Sequence, residues 1–560
     1  MKNKKIIRLT SGFTLIELIG VIIILSLIML LSVPLILNSI RSSKNELSDA
    51  SKKILYNAIN IYINENLNDF PKIDGNTFCV SIDTLSKKEY LPTDVYDSST
   101  GNTIPSDSLI EVKVENNNYT YNINNECKEY VYVPPYQDNS GANIPELLNN
   151  MVPIKYQNNN WVIADISQEW YNYNKKEWAN AVVLEDGISK NIGDVIKEEE
   201  IALWYVWIPR YKYQLFNVGT TGVEEQEIEI KFESGIETTG TVKCEDIDFK
   251  ANPTSEVSEI CTNVKLGNWY THPAFTFGEQ ELTGFWVGKF EISGTTDNIT
   301  IKPNVSSLRG LNISTFFNSI KNISDIYNLN GDSHTIKNME WGAVAYLSHS
   351  KYGINEEIYM NNSNDYYTGR SGGNIGGSTN TVAKQFPTSG DNSTYIYYNY
   401  GYYTYDGKIV NYDGSIGDYA ADRTLGTKAS TTGNIYGVYD MSGGTWEHVM
   451  GNMVDTVGNF YTSGAGFTSE NIPNLKYYDS YSYSAEKKIY TGGKLGDATK
   501  ETNGWYSDYA GFANLTNSWF DRGGNYKNGI DAGVVRFNAY TGGSNSTGST
   551  RAVLLANNVS

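Results

Sequence analysis

Residues 12–37 read GFTLIELIGVIIILSLIMLLSVPLIL. From Phe13 onward the run carries one charge, Glu17, and it exceeds the roughly 20 apolar residues that cross a bilayer. Lys2, Lys4, Lys5 and Arg8 stand before it. By the positive-inside bias, residues 1–11 stay in the cytoplasm and the bulk of the chain is extracellular, held at the cell membrane. An ordinary secretory signal has a shorter apolar core followed by a small-residue cleavage site. This run is longer and leads into Leu37-Asn38-Ser39-Ile40. A plain anchor does not explain Glu17, because a carboxylate in lipid is costly and marks a functional position.

The words Gly12-Phe13-Thr14-Leu15-Ile16-Glu17 after a basic leader resemble the N-terminal segment of type IV pilins and type II secretion pseudopilins. The resemblance implies a prepilin peptidase that cuts after Gly12. It implies methylation of the new N-terminal Phe13, and assembly with other pilin subunits through Glu17. Pro34 sits where pilins often loosen the helix.

Past Pro34 the helical spacing continues. Leu47, Ala50, Ile54, Ala58, Ile61 and Tyr62 recur at three- and four-residue steps until Phe70-Pro71. One helix over 13–69 would be a rod of about 85 Å. A small head follows, with a short helix from Ser81 to Leu85 and a hairpin of 110–114 and 119–123 turning at 115–118. The four cysteines, Cys79, Cys127, Cys244 and Cys261, allow three connectivities. Cys79 and Cys127 flank the head, and Cys244 and Cys261 lie within the polar stretch 218–267. The expected bridges are therefore the two within-unit pairs, with free thiols as the alternative.

Composition narrows the class. Lys plus Arg number 44 against 63 Asp plus Glu, a net charge of -19, so the basic footprint of a nucleic-acid binder is missing. The 43 tyrosines and 11 tryptophans, with abundant Asn, Ser, Thr and Gly, describe an aromatic, loop-rich β surface. Adaptable binding surfaces use the same residues. Pro134-Pro135 to Gly141 reads as a linker. Beyond it, 151–156 and 161–164 read as a hairpin around 158–160, with short aromatic strands at 170–173 and 178–182.

Three later words share one resemblance: Gly284-Phe285-Trp286-Val287-Gly288-Lys289-Phe290-Glu291, Met339-Glu340-Trp341-Gly342-Ala343, and Tyr436-Gly437-Val438-Tyr439-Asp440-Met441-Ser442-Gly443-Gly444-Thr445-Trp446-Glu447. With Arg522-Gly523-Gly524-Asn525-Tyr526 and Ser549-Thr550-Arg551-Ala552-Val553, they resemble the sulfatase-modifying, formylglycine-generating fold. That fold is a variant of the C-type lectin fold and is shared by phage and retroelement receptor-binding proteins. In the third word, glycines let a loop pack closely, Tyr439 and Trp446 fill its core, and Asp440 and Glu447 bind backbone donors or calcium. The copper-dependent members of that family use a cysteine pair after the Arg-Gly-Gly word, and residues 522–560 contain none. The iron-dependent members need clustered histidines. His272, His334, His349 and His448 are scattered, each read as a surface or packing residue. Without such ligands a redox metal has no holder. No enzyme is expected, and calcium is the one candidate cofactor. Asp97, Asp413 and Asp479 read as turn residues, and Gly372 to Gly377 as a loop.

The expected fold class is α+β. A leader (1–12) precedes a helix (13–70, membrane half 13–37), and a β head (71–135) comes next. A linker with a small aromatic β unit (136–200) leads to a C-type-lectin-like domain (201–556). The expected function is a minor pilin or surface adhesin that meets a receptor or glycan through loops at 366–412 and 477–505. The alternative is a pseudopilin-type structural part of a secretion or DNA-uptake machine.

Overall fold

The structure is a computed structural model. It describes residues 47–556 except 68, 99, 117, 125, 219–223, 245–260, 362, 364, 371–407, 411–415, 420–426, 455–458, 463, 482, 485–488 and 491–492. Gly12, Phe13, Glu17 and the whole apolar stretch 13–37 lie outside the described residues. So do Asp413 and Gly372 to Gly377. Among the described residues no helix is long and apolar enough to cross a membrane. The chain divides into two compact units, 1–134 and 135–560. The architecture is α+β, rich in antiparallel strands with few helices.

In the first unit, helix α1 spans Asp49–Glu65. The uninterrupted rod over 13–69 is corrected at both described ends. Ser48 is extended (ψ 148°) and its side chain accepts from Ser51 N, an N-cap. Its own N–H donates to Asp97 Oδ2 at 2.8 Å. At the other end the Asn66 N–H returns to Ile63 O and its amide donates to Tyr62 O. Ser and Asn satisfy the orphan groups of a helix end, so the helix stops where they stand. Leu55, Ala58, Ile59 and Ile63 form its buried stripe. They pack on strands β1 (Thr77–Ser81), β2 (Leu109–Glu115) and β3 (Asn118–Ile123), which form an antiparallel sheet in that order. The expected hairpin is β2–β3, with Glu115 opposite Asn118. A short helix, α2 (Ile82–Lys87), is capped by Ser81. Cys79 and Cys127 are bridged, with Cα atoms 5.9 Å apart.

The second unit is built on a seven-stranded sheet. Its strands are β4 (Met151–Gln157), β5 (Asn160–Ile163), β6 (Asn180–Leu184), β7 (Ile201–Pro209), β8 (Gly284–Gly288), β9 (Gly331–Thr335) and, at the chain's end, Ala552–Ala556. The order is β9, 552–556, β8, β7, β6, β4, β5, all antiparallel. The separate small β unit expected at 136–200 is therefore corrected. Ala181, Val182 and Val183 of β6 pair with Tyr205, Trp204 and Leu203 of β7, so the boundary at 200 would cut a sheet. Every residue of β7 is buried, as its near-continuous apolar run demands. The β4–β5 turn uses Asn158 (φ 52°) and Asn159 (φ 62°), the left-handed pair that a two-residue hairpin favours. Residues 170–173 do not form a strand: Asn172 caps a 3-10 turn at Tyr173–Lys175.

A second, mixed sheet joins β10 (Trp446–Met453), β11 (Trp519–Gly523), β12 (Gly533–Tyr540) and β13 (Gly548–Thr550), with 479–481 at its edge. The last strand, Ala552–Ala556, is β14. Among the described residues the two longer helices of this unit are α3 (Ile313–Lys321) and α4 (Asn338–Ser348), with a one-turn helix Ile323–Ile326 after α3, and every residue of α4 is buried. Within the polar stretch 218–267, Cys261 is disulfide-bonded and Cys244 is its cross-strand neighbour.

Candidate functional site

The words that share the second resemblance lie far apart in sequence, and the fold brings them together around residues 434–447. Lys289, just past β8, is fully buried. Its Nζ donates to Ile435 O (2.7 Å), Gly437 O (2.9 Å) and Asn180 Oδ1 (2.9 Å). The rings of Trp204, Trp161 and Tyr439 lie 5.2–5.5 Å from it. Burial lowers its pKa well below the usual lysine value, and the three acceptors with the ring faces compensate for the lost water. Glu291 accepts from Thr445 N at 2.8 Å and from the Ser307 hydroxyl. Arg551, between β13 and β14, forks onto Glu447 (3.0 and 2.5 Å) and also donates to Gly288 O and Tyr439 O. Asp440 sits in the left-handed region (φ 63°) and accepts from Asn361 Nδ2 (2.8 Å) and Gly369 N (2.8 Å). A Cβ on Gly443 would lie 2.2 Å from Asn361 O, and one on Gly444 2.6 Å from Glu291 Oε1, so only glycine fits this approach.

The electrostatics follow from burial. Desolvation raises Asp440 to about 6 and Glu447 to about 7, with Arg551 pulling the other way. Desolvation also raises Glu291 well above the carboxylate range, and the charges of Asp440 and Glu447 add to it. Each oxygen of these three carboxylates already accepts a hydrogen bond from the protein. A calcium ion at Asp440 and Glu447 would have to displace Arg551 and the Gly369 N–H. The residues do not fit the expected cation, and among the described residues no cluster of His, Cys, Asp or Glu could hold a metal.

Beside this loop lie two sets of aromatic and cationic contacts, in which Tyr526 and Arg536 are buried and Arg309, Tyr366 and Trp446 are partly exposed. Tyr526 donates its N–H to Gly444 O and its ring meets Tyr366 edge-on at 5.0 Å. The Arg309 guanidinium lies 3.9 Å over Tyr366. Trp446 is half-buried, not the core filler expected; its Nε1 donates to Asn528 Oδ1 at 2.8 Å. Arg536 reaches both Trp446 (5.9 Å) and the exposed Tyr509 (5.4 Å).

No protein-family model matches this chain, and no curated protein does.

The remaining candidates are structural. All four histidines are buried. His272 accepts at Nδ1 from Ala274 N, and His334 lies between Asp332 and Glu340. His448 stacks on Tyr540 at 4.6 Å with neither ring nitrogen paired. Asp97 caps a turn through Thr100 N, and Asp479 accepts from Met339 N at the start of α4. Lys289, Glu291 and Arg551 were visible in sequence only as charges inside otherwise apolar words. Asn180 and Asn361 gave no signal of their own.

Proposed function

We propose that the chain is an exported, membrane-anchored minor pilin or surface adhesin. Its second unit is a non-catalytic binding domain of the lectin-like, formylglycine-generating type. The anchoring half of this reading rests on residues 12–37 and their basic leader. The binding half is carried by one observation: Arg309, Tyr366 and Trp446 are partly exposed on or beside a loop immobilised by Lys289, Glu291 and Arg551. Tyr, Trp and Arg dominate the energetics of recognition surfaces, and a rigid support lowers the ordering cost of binding. Lys289, Glu291, Asp440, Glu447 and Arg551 of the shared words are all engaged in hydrogen bonds within the protein, which suits a scaffold. Function then lies in the side chains displayed on it.

Two measurements test the two halves. Intact-mass analysis of the exported chain should show Phe13 as the first residue, and a retained leader in cells that have the peptidase would end the pilin reading. Cells displaying the parent chain should be held on mucin or collagen surfaces better than cells displaying Trp446→Ala with Tyr366→Ala. Equal retention of both, or of cells lacking the chain, would remove the adhesin reading.

A further inference from the structure

The first unit holds a groove of about 730 Å³ beside the outer strand of its sheet. One wall is the exposed face of α1, where Asn57, Asn60 and Asn64 recur at three- and four-residue steps. They form a ladder of amides over about 10 Å of helix axis. The other wall is β3, which among the described residues has a neighbour on one side only. Its Tyr121 hydroxyl donates to Asn60 Oδ1 at 2.9 Å and its Tyr119 hydroxyl to Phe70 O at 2.6 Å, so both rings are held in place. Tyr56 completes the aromatic lining, 5.7 Å from the Tyr121 ring and inclined at 30°. Among the described residues the groove lining has no carboxylate. Its one charged side chain, Lys72, lies 5.1 Å over the Tyr119 ring.

These features select a ligand chemistry. Each asparagine amide offers two donors and an acceptor, which suits adjacent hydroxyls that both give and take hydrogen bonds. Tyrosine combines an apolar ring with a polar tip, which suits a sugar's C–H face and its hydroxyl rim. A peptide added as a strand along β3 would need apolar pockets for alternate side chains. On this wall it would meet asparagines, with Leu67 as the exposed aliphatic residue. A strongly charged ligand would find one lysine.

We propose that this groove binds a neutral oligosaccharide, with pyranose rings laid over Tyr56, Tyr119 and Tyr121 and their hydroxyls taken by Asn57, Asn60 and Asn64. The proposal is independent of the reading of the second unit.

The test uses the full chain in a detergent without a sugar headgroup. It is titrated with cello-, malto-, manno- and chito-oligosaccharides by calorimetry and saturation-transfer NMR. At least one series should bind, and Asn57→Ala with Asn64→Ala should weaken it by about tenfold or more. Both side chains are exposed, so the thermal midpoint should stay at the parent value. Tyr56→Ala should weaken binding as well. The idea is overturned if no series binds or if the asparagine variant binds like the parent. It is also overturned if the groove takes an alternating Val-Thr strand peptide and no sugar. Sugar binding abolished by Trp446→Ala and untouched by the asparagine variant would place the site in the second unit. That result would remove this proposal and leave the adhesin reading standing.

Discussion

Replacing Arg551 by Met tests whether the shared words form one locked device. The guanidinium is fully buried and makes four hydrogen bonds, two to Glu447 and one each to Gly288 O and Tyr439 O. Methionine fills much of the space and supplies no donor. Breaking a buried pair by removing one partner costs about 3–5 kcal/mol. Part of that is relieved here, because Glu447 already titrates near 7 with Arg551 beside it and would take up a proton without it. The two stranded carbonyls are not relieved, at about 1–3 kcal/mol each. The expected loss at neutral pH is therefore about 3–4 kcal/mol. All 11 tryptophans lie beyond Pro135, so urea unfolding followed by tryptophan fluorescence reports the second unit alone. The sign of the pH dependence is fixed. Glu447 has a folded value above its unfolded one, so the stability it contributes is complete below the unfolded pKa and is lost as pH rises through about 7. Without Arg551 the folded value rises further, so the deficit of Arg551→Met should narrow toward pH 5 and widen above pH 7. Adding Glu447→Gln should close a double-mutant cycle with a coupling of about 1–3 kcal/mol. A single variant within about 1 kcal/mol of the parent, or strict additivity in the cycle, would refute the locked-loop reasoning.

His448 and Gly342 give two further expectations. Burial lowers His448 to about 3, so the stability it contributes is present above its unfolded value and lost as pH falls below about 6.5. His448→Leu should therefore gain on the parent by up to about 1.4 kcal/mol per pH unit below that point; parallel pH profiles in the tryptophan-monitored melt would contradict it. Gly342→Ala should raise helix propensity in α4 by about 1 kcal/mol and still destabilise, because its Cβ would lie 1.9 Å from Gly496 O. A stabilised variant in the urea titration would show that the approach is not so close.

Local rules made much of the backbone legible. The β2–β3 and β4–β5 hairpins follow from alternation around a short polar turn. The buried strand β7 follows from an apolar run, and the Cys79–Cys127 bridge from its position around one small unit. Each depends on residues close in sequence or on one pattern with one period. The end of α1 was legible in part: Pro71 announced a stop, and Ser48 and Asn66 set the actual limits through hydrogen bonds to neighbours.

What only the tertiary structure decided are the long-range partnerships. The sequence showed that β6 is a strand, but not that it lies beside β7 in the main sheet. It showed Asp440 and Glu447 as acids in a glycine-rich word, which reads equally as a calcium site. Arg551 lies more than a hundred residues from Glu447 (|i−j| = 104), and Asn361 lies 79 from Asp440. A carboxylate's role is set by which donor reaches it first in a desolvated interior, where pairing outweighs intrinsic preference. That choice is made by packing between segments remote in the chain, and no local period encodes it.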